Sequence, residues 1–425
     1  MERLPAHSTG GHWSSHSSSL ALVLPVGPGF TGTVPPNEVT RARATLERIL
    51  PASSALGRSV WFTWKLLLIV CLSVLPDSLG AQDTFTGVDR IVAIGDVHGD
   101  YDQFVTVLRQ AGVVDDKARW TGGRTHLVQT GDILDRGPDS RKVMELLMGL
   151  GSQAQRAGGR VHALTGNHEA MNVLGDLRYV SAGEYHAFQD RNSAKLRDRA
   201  YAGLADSARK EDPEYRKQWR EEHPLGWVEH RLAFEGNGRY GTWIRQNNAV
   251  VRIDDFLFLH GGIGPKYVTS PLGEINAGIR RALAVDATLV PGNIAEDSEG
   301  PLWYRDLATG DEAPLSAHVD EVLARFGVKH VVIGHTVTDG TVIPRHGGKV
   351  LMIDVGLSAS YGGPPACLII EGGTPYTLHR GHKLQLPLGG DLLPYVRAAA
   401  ALDPPPSRLH QLIERLTLAR TGGRE

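Results

Sequence analysis

Five short polar clusters in this chain carry groups that bind metal ions or move protons. They are Gly95-Asp96-Val97-His98-Gly99, Gly131-Asp132-Ile133-Leu134-Asp135-Arg136-Gly137, Gly166-Asn167-His168-Glu169, His260-Gly261-Gly262 and Gly334-His335-Thr336. Any one alone is an ordinary turn or a satisfied core histidine. A fixed pattern such as GDxHG arises by chance in roughly one chain of this length in several hundred. Taken together they offer a mixed oxygen and nitrogen shell. Asp96 and His98 can face one ion across a tight glycine turn, Asp132 is the natural bridge between two ions, Asn167 supplies a neutral carbonyl oxygen, and His260 and His335 supply imidazoles. Two divalent ions about 3.5–4 Å apart clamp a phosphate, activate water and stabilise a leaving oxygen. Borderline donors of this kind suit Mn, Fe or Zn better than Mg or Ca.

Each cluster follows a short apolar run: Arg90–Ile94, His126–Gln129, Val161–Leu164, Phe256–Leu259 and His330–Ile333. Continuous apolar runs of four or five residues read as strands buried on both faces. At least the first three turns lead into segments of helical spacing, such as YDQFVTVLRQAG and SRKVMELLMGL. Alternating strands and helices give an α/β class, whose sites lie at the carboxyl ends of the strands. One rim is therefore expected to collect all six donors.

The set GDVHG, GDILDRG, GNHE, HGG and GHT resembles the calcineurin-like metallophosphoesterases, and the DRG and GNHE forms resemble their phosphoprotein-phosphatase branch. GNHEAMNVLGDLRYV is further similar to the Shewanella-like protein phosphatases. The resemblance spans about residues 88–380. It implies a sandwich of two mixed β-sheets flanked by helices, with a dimetal site at the strand C-terminal edge. Asp96 and His98 would bind one ion, Asp132 would bridge, and Asn167, His260 and His335 would complete the second site. His168 can protonate the leaving oxygen, with Asp135 holding its imidazole. Arg136 offers a planar fork for phosphate oxygens. Arg305 in PLWYRD resembles a second phosphate-gripping arginine. The expected cofactors are two divalent transition-metal ions, Mn foremost, with Fe or Zn as alternatives. The expected reaction is in-line hydrolysis of a phosphomonoester, on a phosphoprotein or a small phosphoester. A dinucleoside polyphosphate hydrolase is the alternative, because GPDS after the arginine occurs there too, although Asp135 favours the phosphatase. A non-catalytic binding module fits less well with a full donor set.

The chain has 425 residues, and 45 Lys+Arg balance 47 Asp+Glu to a formal charge of −2, so no nucleic-acid partner is expected. Its two cysteines, Cys71 and Cys367, build neither a disulfide framework nor a thiolate metal site. Residues 1–57 are rich in Ser, Gly, Pro and His without periodicity and read as a disordered leader. Residues 58–81 place Arg58 and Lys65 before an apolar run, Leu66–Leu75, and then small residues ending at Ala81. That order reads as an export signal, or as a membrane anchor if uncleaved, and predicts a protein outside the cytoplasm. The catalytic domain is expected over 87–390. Within it, residues 176–247 carry 13 Lys+Arg and 12 Asp+Glu and read as a solvated helical insert or lid. Residues 391–425 read as a helical tail in peripheral contact.

Overall fold

The computed structural model describes residues 82–204, 210–284 and 292–422. The expected leader and export segment lie outside the described residues. Twelve strands are present among the described residues: β1 Thr84–Phe85, β2 Arg90–Ile94, β3 His126–Gln129, β4 Arg160–Ala163, β5 Val250–Ile253, β6 Phe256–Leu259, β7 His330–Ile333, β8 Ile343–Arg345, β9 Val350–Met352, β10 Ala366–Glu371, β11 Thr374–His379 and β12 His382–Gln385. They form two six-stranded sheets, ordered β1-β5-β6-β7-β9-β8 and β12-β11-β10-β2-β3-β4. In the second sheet β2, β3 and β4 run parallel, while β10 lies antiparallel to β2. In the first, β6, β7 and β9 run parallel. The expected α/β sandwich of two mixed sheets is thus the fold. The strand expected at Val161–Leu164 is shifted by one residue.

Strand periodicity divides the core in two. Ile91 and Ala93 of β2 join Val251, Phe256, Phe258, Val332 and Leu351 in the layer between the sheets. Val92 and Ile94, pointing the other way, meet Phe104, Leu108, Val143, Met144 and Leu147 on helices Tyr101–Gln110 and Ser140–Arg156. Both faces of each central strand are therefore dry, which explains the unbroken apolar runs. Each fully buried side chain such as Phe256 or Phe258 contributes about 1.5–3 kcal/mol.

The tail departs from expectation. Helix Leu392–Ala400 and helix Arg408–Gly422 insert Tyr395, Val396, Ala399, Leu409 and Leu412 into the layer between the sheets. The buried Tyr395 hydroxyl bonds Thr341 Oγ1 at 3.0 Å and Thr377 Oγ1 at 2.7 Å, and donates to the Val342 carbonyl at 2.7 Å. The tail belongs to the core.

Candidate metal centre

The turns after β2 and β3 are tied together by their backbones. The N–H groups of Val97 and His98 both donate to the Asp132 carbonyl, at 2.9 and 3.0 Å, and Gly137 N–H donates to the His98 carbonyl at 3.0 Å. A Cβ at Gly137 would lie 2.3 Å from that carbonyl oxygen, so only glycine permits the approach. His98, Asp132, Asp135, Arg136 and His335 all have positive φ, between 46° and 70°. Such conformations cost on the order of 1–3 kcal/mol each and persist only where surrounding contacts enforce them.

Asp132 lies at the centre of a buried cluster. Its Oδ1 is 3.2 Å from His260 Nε2, and its Oδ2 is 3.8 Å from His98 Nε2 and 3.7 Å from His168 Nε2. Asn167 Oδ1 lies 2.8 Å from His260 Nε2. Asp96 Oδ2 is 4.0 Å from His98 Nε2, and the His335 N–H donates to Asp96 Oδ1 at 3.1 Å. All six residues expected as ligands therefore meet at one rim.

The donor chemistry fits a pair of cations. His98 Nδ1 lies 2.9 Å from the Leu134 carbonyl, and His260 Nδ1 lies 3.0 Å from the Thr130 carbonyl. A carbonyl only accepts, so each Nδ1 carries a proton and each Nε2 of the neutral ring presents a lone pair. Those lone pairs point at carboxylate and amide oxygens, which also only accept. His335 Nε2, buried nearby, has no hydrogen-bond partner. A cation turns this convergence of lone pairs into bonds, and the backbone carbonyls fix the ring orientations as outer partners of a metal site do. Two groups, His98–Asp132–His168 and Asp132–His260–His335, have their donor atoms within 4.8 Å of one another and share Asp132; His168 joins the first by proximity and is the expected proton donor rather than a ligand.

The shifts of two of the imidazoles agree. Burial lowers His98 to about 4, and burial next to His260 lowers His335 to about 2, leaving both neutral as ligation requires. Burial and the neighbouring Asp354 carboxyl raise Asp96 well above its ordinary value.

The groups expected to handle the substrate border this cluster. His168 Nδ1 bonds Asp135 Oδ2, and the Asn172 amide donates to Asp135 Oδ1 at 3.0 Å. Burial opposes protonation of His168, but the Asp132 and Asp135 carboxylates raise its pKa above the usual value. The exposed Arg136 guanidinium sits over the Tyr179 ring at 5.0 Å and the Tyr361 ring at 5.3 Å. Arg305 is pinned at the rim by Nη1, which donates to the His335 carbonyl at 2.9 Å and to Thr336 Oγ1 at 3.0 Å.

Residues 89–339 match the sequence profile of the family described as calcineurin-like phosphoesterase. The chain belongs to that family. Its relatives include the Shewanella-like protein phosphatase 2 of Arabidopsis thaliana, 30% identical over 65% of this chain and 73% of the relative. An uncharacterized protein of Schizosaccharomyces pombe is 32% identical over 71% of this chain and 83% of its own length. Among solved structures, the cold-active protein-tyrosine phosphatase of a psychrophilic Shewanella species superposes with a TM-score of 0.55 at 28% identity, covering 72% of this chain and 83% of that one. The chain is a metal-dependent phosphoesterase.

Sequence reading missed several residues of this phosphoesterase site. Asp354, 1% exposed, lies against Asp96, with burial raising its carboxyl to about 6. It follows β9 in Ile353-Asp354-Val355-Gly356, so a sixth apolar run ending in an acid was there to be found. Glu169 accepts the N–H groups of Asp132 and Gly166 on Oε2 and of Ile133 on Oε1, each at 2.8 Å. Tyr179 and Tyr361, which flank Arg136, carried no signal of spacing.

Proposed function

We propose that this phosphoesterase is a two-metal protein phosphatase, with Asp96, His98, Asp132, Asn167, His260 and His335 as its ligands. One observation carries the reading. The His168–Asp135 pair stands beside Asp132, while Arg136, paired with no carboxylate among the described residues, is presented between two tyrosine rings. Two divalent ions bound there would supply Lewis-acid charge to the phosphate oxygens and render water nucleophilic near neutral pH. Mn is the favoured ion, with Fe or Zn compatible with the same donors.

The chain's own residues do the remaining work. Arg136 grips two phosphate oxygens with its planar fork, held in plane by the flanking rings. Arg305 keeps one amino group on the His335–Thr336 turn and turns the rest of its guanidinium to the phosphate. Asp135 accepts a hydrogen bond from the Nδ1–H of His168 and so aims Nε2 at the leaving oxygen, to which His168 delivers the Nε2 proton. Both arginines lie at an exposed rim, which a phosphorylated side chain projecting from a protein can reach. The names of the Arabidopsis and Shewanella relatives favour the same substrate class. The similarity to a symmetrical bis(5'-nucleosyl)-tetraphosphatase covers only 18% of this chain.

The test is a panel of phosphopeptides, an aryl phosphate and diadenosine tetraphosphate, offered to metal-supplemented enzyme. Turnover of phosphopeptides is the expected result. Turnover of the dinucleotide alone would overturn the reading.

We also infer export, supported by the order Lys65, Leu66–Leu75 and small residues to Ala81. N-terminal sequencing of protein from native cells should find a start near Gln82. A start at Met1 in cytosolic material would overturn it, and a start near residue 58 in membranes would indicate an anchor.

A further inference from the structure

The backbone of Asp135–Gly137 is held from outside its own motif. Asp135 and Arg136 are consecutive non-glycine residues at φ +70° and +67°. Asp135 N–H donates to Glu184 Oε2 at 3.2 Å, and Arg136 N–H donates to the Tyr179 carbonyl at 3.0 Å. One peptide further on, the Ser181 hydroxyl donates to the Gly137 carbonyl at 2.9 Å. All three contacts come from Tyr179–Glu184, the opening of the insert. Ser181 also caps helix Ala182–Ala187, accepting Glu184 N–H at 3.1 Å, so the cap and the clamp are one structure.

Glu184 is wholly buried, although most charges of the insert are solvated. Behind it stands His230 of helix Trp227–Phe234, also wholly buried, with Nε2 3.6 Å from Glu184 Oε1. Tyr185, Phe188 and Phe234 enclose the His230 ring. The adjacent Arg231 reaches the opposite side of Asp135: it donates to the Asn172 carbonyl at 2.8 Å, and the Asn172 amide bonds Asp135 Oδ1. Glu184 and Arg231, both of the insert, thus brace Asp135 from both flanks.

We propose that Glu184 is a positioning residue for the reaction, through which the insert fixes Asp135 and thereby the direction of the His168 imidazole. The inference rests on the reading of His168 as the proton donor. A left-handed pair of ordinary residues relaxes when its external partners are removed. Asp135 then swings, and the imidazole it holds leaves the line to the leaving oxygen. The insert is therefore a brace for proton delivery.

The experiment compares kcat, KM and metal content of wild type, Glu184→Gln and Glu184→Met on a phosphoserine peptide and on p-nitrophenyl phosphate. An alkoxide leaving group needs the proton and nitrophenolate does not. Glu184→Met should lower kcat on the peptide by roughly 10–100-fold, the effect of a misplacement near 1 Å, at nearly unchanged KM and metal content. The loss on the aryl ester should stay within about threefold, and Glu184→Gln, which keeps an oxygen acceptor for Asp135 N–H, should remain near wild type on both. In an Asp135→Asn background, Glu184→Met should add less than about twofold, because the two act on one element. Should Glu184→Met not accumulate as folded protein, Arg231→Met must show the same dependence on leaving group. Wild-type kcat in these variants, equal losses on both esters, or full additivity with Asp135→Asn would overturn the proposal. Inactivity of wild type on every phosphate would instead defeat the phosphatase reading itself.

Discussion

Replacing Glu169 tests whether the ligand turns are built by one buried carboxylate. Glu169 is 1% exposed and accepts three backbone N–H groups at 2.8 Å, from Asp132, Ile133 and Gly166. A hydrogen bond to a charged group contributes about 1.5–3 kcal/mol, and an orphaned buried donor costs a similar amount. Glu169→Gln keeps one oxygen, which best serves the two donors on Oε2, and turns an amide NH₂ toward Ile133 N–H. The loss is then one charged bond plus a donor facing a donor, about 3–6 kcal/mol in the urea-unfolding free energy. Because Asp132 belongs to both groups of proposed ligands, loosening its peptide should also weaken metal retention by roughly 10–100-fold, the usual scale for outer partners of ligands. The assay pairs urea titration with metal analysis after dialysis against graded chelator. Wild-type stability and wild-type metal retention in Glu169→Gln would refute the reasoning.

Purified enzyme should hold close to two transition-metal ions, and chelation should abolish activity; full activity with one ion or none contradicts a two-metal centre. His168→Ala should reduce turnover of alkyl phosphates by roughly a hundredfold or more while metal content is retained. The loss should shrink on aryl phosphates, and equal losses would remove the acid role. Asp403 predicts an acid limb in stability. Burial raises its pKa, but Arg380 and His379 outweigh burial and hold it below its ordinary value. A depressed carboxyl stabilises the fold above its unfolded pKa, near 3.9, and that contribution disappears as pH falls through the folded value. Asp403→Asn should lower stability at pH 7 and flatten the loss below about pH 4; an unchanged acid limb by urea titration would contradict this.

Most of the centre was legible because its donors sit immediately after apolar runs, and local order fixes both strand and turn. Asp96, Asp132 and His335 needed only that rule. Asp354 escaped it because β9 is three residues long and one acid in an apolar stretch resembles a plain strand end. Glu184 and His230 were illegible for a different reason. Their importance arises from contact with Asp135 across a long stretch of chain, and nothing in SAGEYHAF distinguishes a buried carboxylate from a solvated one. The tail was misjudged likewise: LLPYVRAAAAL has the composition of any amphipathic helix, and only the gap between the sheets decides that it is interior.

The position of β10 bears on biosynthesis. Leu368 pairs with Ala93 of β2, so the neighbour of the first ligand-bearing strand is translated after every ligand-bearing turn. Leu409 and Leu412 fill the same interior later still. A nascent chain displaying Asp96 through His335 has all six proposed ligands and lacks the framework that brings them together. Pairings so distant in sequence also slow folding. A message interrupted after residue 354 would therefore yield a polypeptide complete in ligands and unable to assemble the centre. Synthesis itself would keep the hydrolytic activity silent until the sandwich closes.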